Sequence, residues 1–138
     1  MIVGLGLDVC DIARIRTNLE RHGLSFMDKV LDADERAFCE RRGDPAVPFA
    51  GRFAAKEAAI KALGAPKGLR WTDMVILPAE DAPPALRLRG VGLEAARRLG
   101  AKRSWLTITH DGGVAAAVVI LESHEGEETL AARDRASG

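Results

Sequence analysis

An α+β fold, with a mainly antiparallel sheet packed against one long buried helix, is what this chain of 138 residues predicts. Three observations carry the prediction. The opening MIVGLGLDV is an apolar run of strand length. The stretch GRFAAKEAAIKALG, residues 51–64, is apolar on two helical faces at once. Near the end, WLTITHDGGVAAAVVIL sets Asp-Gly-Gly between two apolar runs, which is a hairpin signal.

In the first strand Ile2, Gly4, Gly6 and Asp8 share one parity and Val3, Leu5, Leu7 and Val9 the other, so a buried strand with one small-residue face is expected. Glycines on that face admit a close neighbour, and Asp8 is its only ionisable group. From Asp11 the period becomes helical, with Ile12, Ile15 and Leu19 in phase, Asp11 as cap and Gly23 as stop. In LDADERAFCERRG, Asp32 followed by Glu35 forms a capping-box pattern for a second helix ending at Gly43. The long helix should start near Pro48 and stop at Gly64. LRWTDMVILP and PALRLRG read as strands, VGLEAARRLGA as a short amphipathic helix, and the hairpin completes the sheet. Residues 1–122 thus form one domain, and the polar, acidic 123–138 read as a loosely ordered tail.

Composition narrows the function. Hydrophobic residues at 47% and charged residues at 29% are ordinary for a globular domain. With 20 basic and 20 acidic residues the formal net charge is zero, so no global field draws the protein to nucleic acid or an anionic membrane. Cys10 and Cys39 lack the spacing of a zinc site or a disulfide framework and are expected to be buried free thiols. No apolar run is long enough to cross a bilayer and no signal peptide is visible, which predicts a cytoplasmic protein. Trp71 and Trp105 read as core, and His22 and His124 as surface.

On the long helix Phe49, Phe53, Ile60 and Leu63 take one face, and Ala54, Ala55, Ala58, Ala59 and Ala62 the other. Polar residues are confined to two seams: Glu57, Lys61 and Gly64 on one, Arg52 and Lys56 on the other. An exposed i,i+4 pair is the ordinary explanation of Glu57 and Lys61. The apolar flanks weaken it, because a partly buried carboxylate needs a cation or several donors. With Asp8 as a second carboxylate, the pair suits Mg²⁺, which takes one or two carboxylates and completes its shell with water and substrate phosphate. Lys61, Arg52 and Lys56 would supply positive charge to those phosphates.

Together, GLGLDVCDIARI, FAGRFAAKEAAIKALG and LTITHDGGVAAAVVI resemble the signature of the holo-[acyl-carrier-protein] synthases, the small bacterial group of 4′-phosphopantetheinyl transferases. The resemblance runs from Met1 to about Glu122. Thr109 stands where many members have serine, and GAPKG shortens the usual glycine-rich loop. The resemblance implies the phosphopantetheinyl transferase-like fold and transfer of 4′-phosphopantetheine from coenzyme A to a serine of apo acyl carrier protein, releasing adenosine 3′,5′-bisphosphate. It implies Asp8 and Glu57 as Mg²⁺ ligands, with Lys61 on the phosphates, and Arg52 and His110 near the 3′-phosphate. Gly64 and the loop after it would let backbone N–H groups approach the nucleotide. Unaided, His110 reads equally well as a turn residue beside Asp111. The first helix carries Arg14, Asn18 and Arg21 opposite its apolar side; a solvated edge explains them, and the resemblance makes them the docking face for an acidic carrier protein. It further implies a homotrimer with sites between protomers. Two other functions fit the acid pair: a Mg²⁺-dependent nucleotide phosphohydrolase, which would need no protein acceptor, and a non-catalytic nucleotide-binding module, which would release no bisphosphate.

Overall fold

The computed structural model describes residues 1–123. The chain begins with β1 (Ile2–Asp11) and four helices, α1 (Ile12–His22), α2 (Leu24–Val30), α3 (Ala33–Glu40) and α4 (Ala46–Ala62). A 3₁₀ turn (Trp71–Asp73), β2 (Met74–Leu77), β3 (Ala85–Leu88) and α5 (Gly90–Arg98) follow, before β4 (Ala101–Asp111) and β5 (Val114–Ser123). The main sheet has the order β1-β5-β4 and both of its pairings are antiparallel, while β2 and β3 form a separate antiparallel ribbon. This is the α+β architecture expected. The hairpin turns on Gly112 and Gly113, at φ 58° and 81°, the double positive φ that a two-residue loop between twisted strands requires.

α4 lies across the inner face of the sheet. A Cβ at Gly4 would stand 2.4 Å from the Ala62 carbonyl oxygen, and one at Gly6 only 1.8 Å from that of Ala58, so these glycines are what lets β1 meet the helix backbone. At its other end the helix leans on β4, where a Cβ at Gly51 would touch Ile108 at 3.0 Å. The alanine face, with Phe49, Met74 and the inward residues of β5, fills the core.

Several expectations are corrected. β1 is buried on one face only: Leu5, Leu7 and Val9 are 63%, 57% and 60% exposed, because no element among the described residues covers the outer side of the sheet. Trp105 lies on that outer side, with the Arg103 guanidinium 4.4 Å from its ring centre, not in the core. Trp71 is half-buried against Phe53. The expected strand at LRWTDMVILP is shortened by the 3₁₀ turn, where Asp73 accepts the Arg70 N–H through its carboxylate. α2 went unrecognised in the sequence, although Phe26, Met27 and Val30 have helical spacing; Gly23, at φ 57°, separates it from α1. The capping box at Asp32 and Glu35 is present, and Cys10 and Cys39 are buried and free. β5 reaches Ser123, whose N–H donates to the Met1 carbonyl. The tail expected at 123–138, with His124, lies from residue 124 onward outside the described residues. No helix among the described residues is long and apolar enough to cross a membrane.

Candidate active site

Asp8 and Cys10 point to the inner face of β1, in register with Ala117 and Ala115 of β5. Ile108 and His110 of β4 pair with the same two alanines from the other side. The Asp8 and His110 edges of the sheet are therefore two strand spacings apart, about 10 Å, with α4 lying between them. A hollow opens on each side of that helix.

The hollow on the β1 side has a volume of about 250 Å³ and is lined by Asp8 and Glu57, with Arg14, Asn18, Phe26 and Phe53 among its walls. It joins the end of β1, the first turns of α1 and the middle of α4. Burial first, and then the charge of Asp8, push the Glu57 carboxyl above its ordinary value, while Lys61 opposes them. A carboxylate pushed up by burial and by a neighbouring carboxylate is relieved by a cation. Their oxygens suit a hard divalent ion, so the residues present fit Mg²⁺. Among the described residues no three His, Cys, Asp or Glu side chains gather around one point, so an ion held by Asp8 and Glu57 would complete its shell with oxygens from water or a ligand. Lys61 donates to Asp8 Oδ1 at 3.1 Å and to the Leu7 carbonyl at 2.9 Å.

On the β4 side a hollow of about 430 Å³ holds Arg52 and His110, with Arg42, Phe38 and Gly51 beside them. It adjoins a larger one of about 820 Å³, lined by Arg41, Arg42 and Arg52 and closed by Pro78, Glu80 and Pro84. Arg52 is 7% exposed, and burial lowers its affinity for the proton. Its guanidinium carbon lies 3.9 Å from the Phe38 ring centre, and Arg42 covers the same ring at 4.6 Å. Arg52 Nε is buried and has no hydrogen-bond partner among the described residues, a donor that an anion would satisfy. Sequence reasoning missed Phe38, Arg41 and Arg42. The adjacent arginines closing α3, one turn past an aromatic, were the available signal.

Lys56 does not take the place the sequence suggested for it. It is fully buried, and its ammonium donates to Glu35 Oε1 at 2.8 Å, the Val30 carbonyl at 2.6 Å and the Trp71 carbonyl at 3.1 Å. An ammonium has three N–H donors and all three are used, so Lys56 has none to offer a phosphate. Glu35 in turn accepts the N–H groups of Asp32 and Ile76. Gly64 closes α4 at φ 79°, its N–H donating to Lys61 O and that of Ala65 to Ile60 O. These two donors serve the helix end rather than face outward.

A family model described as the 4′-phosphopantetheinyl transferase superfamily matches residues 4–119. The chain belongs to this superfamily. It is 53% identical over 125 residues to the holo-[acyl-carrier-protein] synthase of Anaeromyxobacter dehalogenans (strain 2CP-C), a match spanning 88% of this chain and 97% of the relative. The protein of that name from Myxococcus xanthus is 47% identical over 123 residues, covering 88% of this chain and 96% of its own. The crystal structure of Helicobacter pylori holo-[acyl-carrier-protein] synthase in complex with coenzyme A matches with a TM-score of 0.74 at 30% identity, over 86% of this chain and 99% of that one. The holo-ACP-synthase of Plasmodium yoelii gives a TM-score of 0.79 at 27% identity, over 91% and 98%.

α1 borders the hollow that holds the acid pair. Ile12 and Ile15 are buried, which turns Arg14 and Asn18 to the rim of the hollow that holds Asp8 and Glu57. Arg21 lies exposed in the last turn, outside that hollow. Arg16, on the same helix, is held by Asp44 at 2.5 Å.

Proposed function

We propose that this chain transfers the 4′-phosphopantetheine group of coenzyme A to a serine hydroxyl of apo acyl carrier protein, releasing adenosine 3′,5′-bisphosphate. The observation that carries this is the meeting of Asp8 from β1 and Glu57 from α4 in one hollow whose rim holds Arg14 and Asn18. Similarity to holo-[acyl-carrier-protein] synthases over 88% of the chain supports the choice of donor and acceptor.

Asp8 and Glu57 would hold Mg²⁺, which when bound neutralises charge on the pyrophosphate and orients it. The residues of the chain do the rest. Lys61, its ammonium on Asp8 Oδ1, meets the phosphates as a point charge. The basic hollow binds the nucleotide end: Arg52 and His110 face its 3′-phosphate, and the unpartnered Arg52 Nε gains an acceptor. Arg14, Asn18 and Arg21 dock the carrier so that its serine oxygen approaches the β-phosphorus in line. The new bond is serine oxygen to phosphorus; the bond broken is phosphorus to the bridging oxygen, which leaves with the bisphosphate, and the serine proton is released to solvent.

The active enzyme is a homotrimer with sites between protomers. Two features support this: the basic hollow and the acid hollow lie on opposite sides of α4, and the outer sheet face exposes Leu5, Leu7, Val9 and Trp105 together. Covering that face with neighbouring chains would let Arg52 of one protomer serve Asp8 and Glu57 of the next. Mass spectrometry of apo acyl carrier protein after incubation with coenzyme A, Mg²⁺ and this protein tests the activity. A gain of one phosphopantetheine per carrier is expected. Bisphosphate released at the same rate without carrier would instead indicate a hydrolase.

A further inference from the structure

Lys61 sits one turn beyond Glu57 on α4, and its ammonium bridges two acceptors on β1: the Leu7 carbonyl at 2.9 Å and Asp8 Oδ1 at 3.1 Å. Its side chain is 55% exposed, whereas that of Asp8 is 19% exposed. The carboxylate best placed to hold a divalent ion thus also carries a cation supplied by the chain itself. A carboxylate can contact both, but only with a single and a double positive charge a few ångströms apart, and that repulsion weakens the binding of each. The contact is also easily undone. A half-exposed lysine on a flexible stem can leave Asp8 without disturbing the core.

Resting on the reading of Asp8 and Glu57 as the metal pair, we propose that Lys61 competes with the divalent ion for Asp8, and that the phosphates of coenzyme A end the competition by drawing Lys61 away. Metal and coenzyme A then bind with positive coupling that passes through this one side chain, beyond whatever the metal gains from the phosphate oxygens themselves. By linkage, each ligand strengthens the other by the same factor. The arrangement favours loading the metal with the donor rather than ahead of it. Lys61 therefore holds the acid pair in check until a phosphate arrives.

The test is Mn²⁺ affinity, read by electron paramagnetic resonance or calorimetry, with and without coenzyme A and without carrier protein. In Lys61→Met, Mn²⁺ should bind the coenzyme A-free protein at least about threefold more tightly than wild type, the scale of a half-exposed ion pair removed. The ratio of affinities with and without coenzyme A should shrink by a similar factor. Lys61→Arg, which keeps the charge, should stay within about twofold of wild type. Unchanged or weaker Mn²⁺ binding in Lys61→Met, while Asp8→Asn still removes binding, overturns the competition and leaves the metal pair standing. Binding that survives in both Asp8→Asn and Glu57→Gln overturns the metal pair, and the competition with it.

Discussion

The hollows on the two sides of α4 are built differently. On the acid side, Asp8 is fixed by backbone packing: Gly4 and Gly6 put β1 against the carbonyls of Ala62 and Ala58, and Glu57 lies one residue from Ala58. On the basic side, Arg52 is held through its neighbours, by the Phe38 ring and the Pro48 carbonyl, with the chain from Pro78 to Pro84 as the outer wall. The first construction tolerates almost no displacement, which suits the Mg²⁺ proposed for it. The second can adjust, which suits the nucleotide proposed for it, held by charge. The contrast teaches that the helix positioning both sets of residues also keeps them apart, so under the proposed function one chain would carry two halves of a site closed only by a neighbour.

Breaking the acid side should have the largest effect. Asp8→Ala or Glu57→Ala should lower Mg²⁺-dependent transfer by at least about a thousandfold, since metal charge stabilisation contributes several kcal/mol. Circular dichroism and the unfolding midpoint should stay near wild type, and transfer above about a tenth of wild type in either variant would rule out the metal pair.

The next effect lies beneath both hollows. Lys56→Met leaves Glu35 buried without its cation and should cost about 3–5 kcal/mol in urea unfolding. Lys56→Met/Glu35→Gln leaves no buried charge and should be less damaged than Lys56→Met alone. Equal damage in both would show that the charge pair is not what anchors α4.

Arg14 sharpens the comparison at the rim of the acid hollow. Arg14→Glu should raise KM for the acyl carrier protein at least about tenfold, equivalent to about 1.4 kcal/mol, and leave coenzyme A binding nearly unchanged. Moderate salt should weaken the wild type more than the variant, because the wild type has more attraction to screen. An effect on coenzyme A instead would move the docking surface away from α1.

Cys39, behind the basic side, gives an effect confined to alkaline pH. Burial raises its thiol to about 11 from an ordinary 9.0, so above pH 9.0 the unfolded chain loses a proton that the folded chain keeps. The unfolded state then binds fewer protons, and stability falls as pH rises from 9.0 towards about 11. Denaturant unfolding across that window should show a loss of about 1–2 kcal/mol that is absent from Cys39→Ala.

The parity of β1 made the placement of Asp8 legible, since a glycine face predicts a close neighbour, and the seam on α4 turned Glu57 to the same hollow. The hairpin and the Asp32 capping box were legible for the same reason: their chemistry is local. Lys56 was not, because its partner Glu35 is 21 residues away and periodicity records only which way a side chain points. A helix buried all round turns some polar residues into the core, and spacing cannot separate those from residues that face a ligand. The outer face of β1 misled for a related reason: Leu5, Leu7 and Val9 read as core, although nothing among the described residues covers them.

That face and the divided site meet in one experiment. Asp8→Ala protein and Arg52→Ala protein, each inactive alone, are unfolded, mixed in equal amounts and refolded, with native mass spectrometry to verify mixed trimers. In a cyclic trimer whose sites each take an acid hollow from one chain and a basic hollow from its neighbour, random mixing leaves about one site in four with both intact. The mixture should therefore recover about a quarter of wild-type transfer. Verified mixed trimers no more active than the two parents would contradict the shared site, and a protein that stays monomeric while fully active would contradict it equally.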